Sequence, residues 1–136
     1  MTNEVFIASG ARTPIGSFMG NLNSFSAPEL AAAAIQKTLD RSSIEADQID
    51  EVLIGNVVSA GLKQAPARQA MRLAGIPDQC GATTINKVCG SGMKATMLAF
   101  DLIRSGSAGT VLSGGMESMS NAPYLLANVR SGLRMG

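Results

Sequence analysis

One cysteine of this sequence lies where its thiol could act as a nucleophile. Cys89 follows a run that predicts a strand and precedes Gly90-Ser91-Gly92, after which a helix is expected. At a helix N-terminus, unpaired backbone N–H groups and the positive end of the dipole favour an anion. Both effects raise the thiolate fraction of a cysteine, and the same N–H groups can stabilise an oxyanion. The position therefore indicates a nucleophile, and the alternative is a buried structural thiol.

The glycines after Cys89 also match a second motif. The stretch from Gly90 to Ala95 has the G-x-G-x-x-A spacing of a dinucleotide-binding loop, and Glu117 follows the next predicted strand. An acidic ribose partner is expected in such a place. The motif normally occupies the first strand–helix turn of its domain, however, and here it follows the third predicted strand. A dinucleotide-binding module therefore stays an alternative that rests on this glycine spacing alone.

The remaining polar candidates have structural explanations. Cys80 lies in a loop after a helix stop, so we expect a structural thiol at the opposite end of the strand that precedes Cys89. Glu117 lies in a loop rich in Gly, Ser and Met, where a carboxylate more often orients backbone than reacts. Lys87 and Lys94 flank the thiol, and we expect them to be solvated or ion-paired.

The composition excludes several kinds of catalytic and metal site. The sequence contains no histidine and two cysteines. Zinc sites of the Cys/His type are therefore excluded, as is Ser-His-Asp or Cys-His catalysis completed within this chain. Two cysteines in 136 residues do not form a disulfide framework. No metal site is predicted.

Charge and hydropathy exclude two classes of partner. Eleven Lys and Arg residues are balanced by ten Asp and Glu residues, so no basic face for nucleic acid is expected. No apolar stretch is long enough to span a membrane, and the N-terminus lacks the pattern of a signal peptide. These features predict a cytoplasmic protein. The charged fraction of 15% is low, which indicates surface covered by a partner or by further sequence.

Predicted strands and helices alternate along the chain, and this order must position Cys89. A capping box at Ser26-Ala27-Pro28-Glu29 begins the first helix, and Gly75 with Pro77 ends the second. Such alternation indicates an α/β fold with a mostly parallel, mixed sheet and helices on both faces. The predicted strands cover residues 5–9, 52–58, 83–88 and 110–113, and the predicted helices cover 26–41, 66–75 and 93–105. A connector at 44–50 contains one helical turn, and the residues after Gly115 are expected to be loop.

Five segments of the sequence, in family order, resemble the thiolase family, most closely its biosynthetic acetyl-CoA acetyltransferases. Together they extend across the whole chain, which makes the resemblance far more specific than any one segment. The segments are Arg12-Thr13-Pro14-Ile15-Gly16, Gly55-Asn56-Val57, Pro66-Ala67-Arg68-Gln69-Ala70, Asn86-Lys87-Val88-Cys89-Gly90-Ser91-Gly92-Met93-Lys94-Ala95 and Gly114-Gly115-Met116-Glu117-Ser118-Met119-Ser120.

The resemblance implies a role for Cys89 and a class of substrate. Cys89 would take up an acyl group as a thioester, and its backbone N–H would contribute to an oxyanion hole. The substrates would be acetyl-CoA and acetoacetyl-CoA, with no separate cofactor, in fatty acid metabolism. The complete enzyme would be a homo-oligomer, a dimer or a dimer of dimers.

The resemblance covers the first half of a thiolase only. It implies an N-terminal thiolase domain at residues 1–118 and the start of an inserted loop domain at 119–136. The histidine base, a second active-site cysteine, an Asn/His oxyanion site and most coenzyme A contacts would lie beyond Gly136. We therefore expect this chain alone to lack turnover. A non-catalytic fragment that folds only as an assembly partner is the alternative.

Overall fold

The computed structural model describes residues 4–132, which form one parallel sheet with helices packed on it. The helices are α1 (Ala27–Arg41), α2 (Pro66–Leu73) and α3 (Ser91–Ser105). The strands are β1 (Glu51–Gly55), β2 (Gly81–Ile85) and β3 (Val111–Gly115). Short 3-10 turns occupy Ala46–Gln48, Met119–Asn121 and Val129–Ser131.

The sheet has the order β2-β1-β3, and both strand pairs are parallel. Gly55 at the end of β1 lies opposite Ile85 of β2 and Gly115 of β3. The predicted α/β fold with a parallel sheet is therefore confirmed. The antiparallel member of a mixed sheet is not among the strands that residues 4–132 form. Since all three strands run the same way, the loops that follow them meet at one edge.

The central strand β1 carries a core on each face of the sheet. Val52 and Ile54 belong to a cluster with α1 and α2, whereas Leu53 packs with Ala95 and Ala99 of α3. Successive side chains of a strand point to opposite faces, which explains this division. A strand covered on both faces has a continuous apolar sequence, as Val-Leu-Ile has here. The expectation of helices on both faces is confirmed.

The first helix begins at the capping box that the sequence predicts. The Ser26 N–H donates to the Glu29 carboxylate at 2.7 Å, and the Glu29 N–H donates to Ser26 Oγ at 3.4 Å. Hydrogen bonds from the Ser26 hydroxyl and then from its backbone N–H lower the pKa of Glu29. These bonds satisfy backbone donors that a helix start leaves unpaired. The helix then packs on α2 through Ala31, Ala32 and Ile35.

A second carboxylate joins two strands at the opposite edge of the sheet from Cys89. Asp50, directly before β1, accepts hydrogen bonds from the N–H groups of Gly109 at 2.7 Å and Thr110 at 2.9 Å. The bonds from Thr110 and then Gly109 lower the pKa of Asp50. Asp50 thus fixes the start of β3 beside the start of β1.

The predicted strand at residues 5–9 is wrong. This segment belongs to no described strand, and Phe6 and Ile7 are 78% and 90% exposed. A cavity of about 510 Å³ is lined by Val5–Ser9 on one side and by residues of β3 and α3 on others. An apolar run becomes a strand only when a neighbouring strand pairs with it, and residues 5–9 pair with none of the three described strands.

Several predicted boundaries are shifted by a few residues. The strand predicted at 52–58 ends at Gly55, and the one predicted at 83–88 covers Gly81–Ile85. In both places the last predicted residues form a loop with polar partners. The strand predicted at 110–113 continues to Gly115, and α3 begins at Ser91, two residues early.

Three further expectations concern the 44–50 connector, the end of α2 and the segment after Gly115. The helical turn expected within 44–50 is confirmed by the 3-10 turn at Ala46–Gln48. The helix predicted to reach Gly75 ends at Leu73, and Gly75 has the left-handed φ of 88° that suits glycine. The segment after Gly115, predicted as loop, contains two 3-10 turns.

Two predictions concern chain ends that lie partly outside the described residues. The expectation of no signal peptide concerns the N-terminus, where residues 1–3 lie outside the described residues. The predicted insertion at 119–136 ends in residues 133–136, which also lie outside them. The division into domains at 118 therefore stays a prediction. Within residues 4–132 no helix combines the length and the apolar character needed to cross a membrane.

The α2 core provides a stability prediction. Met71 is fully buried, while Leu73 on the same helix is 53% exposed. Met71→Ala should lower the free energy of unfolding by about 2–5 kcal/mol, because it removes apolar contacts and leaves a cavity. Leu73→Ala should change it by less than about 0.5 kcal/mol. Urea unfolding followed by circular dichroism measures both, and equal losses would contradict this placement of α2.

Candidate active site

Three loops meet at the carboxyl edge of the sheet, where ligands bind in open α/β sheets. They are residues 56–58 after β1, residues 86–90 after β2 and residues 116–118 after β3. The sequence-predicted candidates Cys89 and Glu117 both lie in these loops. Cys80 does not, because it directly precedes β2 at the other edge.

Cys89 lies on a tight turn between β2 and α3, and the residue is exposed. The Gly90 N–H donates to the Lys87 carbonyl at 3.1 Å, and the Ser91 N–H donates to the Val88 carbonyl at 3.0 Å. The Ser91 hydroxyl also donates to the Val88 carbonyl at 2.6 Å and accepts from the Lys87 N–H at 2.8 Å. These bonds hold the residues on both sides of Cys89, so its position is fixed while its surface stays open.

The residue before the cysteine has an unusual backbone conformation. Val88 has a φ of 50°, in the left-handed region that a β-branched residue rarely adopts. The Asn86 side chain accepts a hydrogen bond from the Val88 N–H at 3.0 Å and helps to hold this turn. Strain of this kind persists only where surrounding contacts enforce it, and it is frequent at active sites.

Three glycines bring α3 against the ends of two strands. A Cβ atom on Gly55 would overlap the Gly92 nitrogen and lie 2.7 Å from the Ser91 carbonyl oxygen. A Cβ on Gly115 would lie 3.2 Å from the Gly92 Cα. The first turn of α3 therefore contacts β1 and β3 backbone to backbone. Cys89 precedes α3 by two residues and so lies beside the positive end of its dipole.

Glu117 orients backbone, as its sequence context indicates. Its carboxylate accepts hydrogen bonds from Asn56 Nδ2 at 2.9 Å and from the N–H groups of Val57 at 3.0 Å and Val58 at 2.9 Å. The contribution of Asn56 was not predicted from the residues themselves. The signal was its presence in Gly55-Asn56-Val57, one of the five resembling segments.

The loop after β3 is also tied to the turn-rich segment before α1. Ser118 Oγ donates to the Phe25 carbonyl at 2.9 Å. Asn121 Nδ2 donates to the carbonyls of Asn23 and Phe25, both at 2.9 Å. Nothing in the local sequence indicated these contacts, because they join residues more than 90 positions apart. They fix one wall beside the loop that carries Glu117.

Cys80 has the structural setting that the sequence predicts. Cys80 is 4% exposed, and its Sγ donates to the Gly81 carbonyl at 3.3 Å. The Arg68 side chain donates to the backbone carbonyl of Cys80 at 3.1 Å. Burial is the main cause that raises the pKa of the Cys80 thiol, and the nearby carboxylates of Glu51 and Asp50 add to it. A thiol with a raised pKa in a closed setting is a poor nucleophile.

The remaining candidates show no second chemistry at this edge. Lys87 is exposed and Lys94 half-buried, and neither belongs to the ion pairs that residues 4–132 form. The Glu117 carboxylate is directed at backbone donors, so it does not present the ribose partner of a dinucleotide site. No group of three or more Cys, Asp and Glu side chains in the described part of the chain could hold a metal ion.

Comparison with known proteins gives consistent matches. Residues 5–136 match the family described as thiolase, N-terminal domain. An acetyl-CoA acetyltransferase of Pseudomonas aeruginosa is 49% identical over 98% of this chain, and one of Cupriavidus necator is 50% identical over the same share. The crystal structure of the Acat5 thiolase from Ascaris suum in complex with coenzyme A has a TM-score of 0.89 and 41% identity over 90% of this chain.

The match covers only part of each relative. The chain spans 34% of the length of the two bacterial acetyltransferases and 32% of the Ascaris suum chain. About two thirds of each of these proteins therefore has no counterpart here.

The two thiols should differ in reactivity. Cys89 should react with iodoacetamide near pH 7 at least about tenfold faster than Cys80, because it is exposed and Cys80 is buried with a raised pKa. Peptide mapping by mass spectrometry gives both rates. In urea the two rates should converge, which provides the control. An equal or faster reaction of Cys80 in the folded chain would contradict this description.

The glycine contact gives a second prediction at this site. Gly55→Ala should lower the free energy of unfolding by about 1–3 kcal/mol or more, because the added methyl overlaps backbone that no rotamer change can move. Gly10→Ala is the matched control, since nothing lies within 4 Å of its added Cβ. Thermal or urea unfolding compares the two, and tolerance of Gly55→Ala would show that α3 does not approach β1 this closely.

Proposed function

The chain belongs to the thiolase family, and we propose that it is the nucleophile-bearing part of an acetyl-CoA C-acetyltransferase. The observation that carries the proposal is the exposed Cys89 on a rigid turn that leads into α3. The names of the relatives support acetyl-CoA as a substrate, and transfer of its acetyl group to a second acetyl-CoA gives acetoacetyl-CoA. No cofactor beyond the coenzyme A thioester substrates is needed for the chemistry that follows.

In the first step the Cys89 thiolate attacks the thioester carbonyl of acetyl-CoA. The new C–S bond forms at Cys89, the carbonyl becomes an oxyanion, and the C–S bond to coenzyme A then breaks. Coenzyme A leaves as a thiolate that takes up a proton. We propose that the backbone N–H of Cys89 stabilises the oxyanion, assisted by the positive end of the α3 dipole, which favours negative charge there. The covalent thioester divides one difficult reaction into two steps.

In the second step a carbon nucleophile takes the acetyl group. A second acetyl-CoA loses a proton from its methyl carbon, attacks the acetyl-Cys89 carbonyl and forms a C–C bond. The bond to Cys89 sulfur breaks, and the product is acetoacetyl-CoA. This step needs a base for the methyl proton, and the sequence has no histidine. Thiolysis is the same sequence of steps reversed, and it needs the same proton transfers.

A non-catalytic assembly fragment is the second candidate function. It is favoured by the exposed apolar side chains of Met93, Met97 and Phe100 on α3, at helical spacing. Acetylation of Cys89 distinguishes the two candidate functions, because the function of an assembly fragment includes no reaction with a thioester. Self-association of the complete enzyme, its cytoplasmic location and a role in fatty acid metabolism stay predictions.

The proposal predicts one acetylation and no turnover. Incubation with acetyl-CoA should add a single acetyl group to Cys89, while steady thiolysis of acetoacetyl-CoA should not exceed that of Cys89→Ala. The missing base and acid each normally contribute about 10²–10⁴-fold. Intact-mass spectrometry measures the acetylation, and absorbance of acetoacetyl-CoA measures turnover.

Cys80→Ala serves as the control for this experiment, and it should be acetylated like the unsubstituted chain. Acetylation that persists in Cys89→Ala, or none in the folded unsubstituted chain, would refute the proposed nucleophile. Steady thiolysis above the Cys89→Ala level would show that another group of this chain supplies the base.

A further inference from the structure

Glu117 ties the loop after β3 to the loop after β1. One carboxylate oxygen accepts from Asn56 Nδ2 and the Val58 N–H, both at 2.9 Å, and the other accepts from the Val57 N–H at 3.0 Å. Hydrogen bonds to a charged acceptor are about twice as strong as neutral ones. This one side chain therefore holds three consecutive residues of the first loop in a fixed relation to β3.

Asn56 extends the link to the third strand. Its backbone N–H donates to the Ile85 carbonyl of β2 at 2.9 Å, and its Nδ2 also donates to the Met116 carbonyl at 3.3 Å. The residue is 1% exposed, and its Oδ1 has no hydrogen-bond partner among the described residues. Its amide is thus oriented by its donors, and those donors face the loop of Glu117. Asn56 and Glu117 together connect the ends of β1, β2 and β3.

The glycine contacts transmit this arrangement to Cys89. Gly55 immediately precedes Asn56, Gly115 lies two residues before Glu117, and the Met116 N–H donates to the Gly55 carbonyl at 2.9 Å. Both glycines touch Gly92, three residues after Cys89, with no side chain between the backbones. A close-packed backbone contact leaves no space for relative movement, so a shift of either strand end moves the start of α3.

We infer that Glu117 is a positioning residue for the acyl-transfer chemistry of Cys89, an inference that rests on the proposed function. It acts through Asn56 and the three glycines, and it sets the Cys89 sulfur relative to the helix-start N–H groups. Its carboxylate is occupied by backbone and amide donors, so it does not serve as the missing base. Misplacement by about 1 Å can lower a rate about 10²-fold.

Glu117→Gln tests the inference, because an amide offers one acceptor oxygen where the carboxylate offers two. At least one of the three donors then faces an NH₂ group. We expect acetylation of Cys89 by acetyl-CoA to slow about 10- to 100-fold. Alkylation of the same thiol by iodoacetamide should fall clearly less than acetylation, because that displacement forms no oxyanion and depends on the helix-start N–H groups only through the thiolate fraction.

Glu51→Gln is the matched control, since Glu51 lies on β1 at the other edge of the sheet and accepts from Thr83 Oγ1 at 3.2 Å. It should leave both rates near those of the unsubstituted chain. Asn56→Asp, which loses the amide donor and places two carboxylates together, should slow acetylation like Glu117→Gln. The double variant Glu117→Gln/Asn56→Asp should recover part of the rate, because the introduced amide can donate to the introduced carboxylate.

Three outcomes would overturn the inference, and they can be told apart. Acetylation of Glu117→Gln at the unsubstituted rate would leave no positioning role. An equal fall of acetylation and alkylation would indicate general loosening. Alkylation of Cys80 in Glu117→Gln would show that this variant unfolds. In that case Glu117→Asp, which keeps the charge, replaces it and must slow the acetylation of Cys89 more than its alkylation. No acetylation of the unsubstituted chain would overturn the proposed function, and this inference with it.

Discussion

The close approach of α3 to the ends of β1 and β3 is the constraint on which the rest of this structure depends. It exists because Gly55, Gly92 and Gly115 carry no side chain where the backbones meet. A parallel sheet leaves its helix starts at the carboxyl edge, but their distance from the strands varies with the side chains between them. Here the distance is minimal, so the turn that carries Cys89 is held against the sheet itself.

Polar clamps at both edges maintain that arrangement in a core of small residues. Asp50 joins the starts of β1 and β3, and Glu117 with Asn56 joins their ends. Ala and Gly side chains bury little apolar area, so each apolar contact contributes less than a Leu or Phe contact would. The hydrogen bonds of these carboxylates therefore fix the loops at both ends of the paired strands, while the apolar residues determine which face each strand buries.

Much of this fold was predictable from local pattern, and the exceptions share one cause. Val52, Leu53 and Ile54 indicated a strand buried on both faces, and the capping box of Ser26 and Glu29 located the start of α1. Residues 5–9 show the same apolar character, yet pairing depends on a neighbour that no local pattern reveals. The partners of Glu117 lie about 60 positions away along the chain. The sequence therefore indicated that Glu117 orients backbone, but not which backbone.

Two kinds of contact prepare Cys89 as a nucleophile: hydrogen bonds between residues close in sequence, and contacts between residues far apart in sequence. The turn around Cys89 closes through bonds among Asn86, Lys87, Val88 and Ser91, which span at most four positions. A sequence signature can therefore report the presence of the turn. The distance of this turn from the strand ends depends instead on long-range contacts, which join Gly92 to Gly55 and Gly115. Attack on a thioester needs only the turn that exposes the Cys89 thiol. Stabilisation of the oxyanion also needs the placement of this turn against the strand ends, because donor and carbonyl oxygen must meet at hydrogen-bond distance. For this reason a substitution at Glu117 can leave the thiol reactive and still slow acyl transfer.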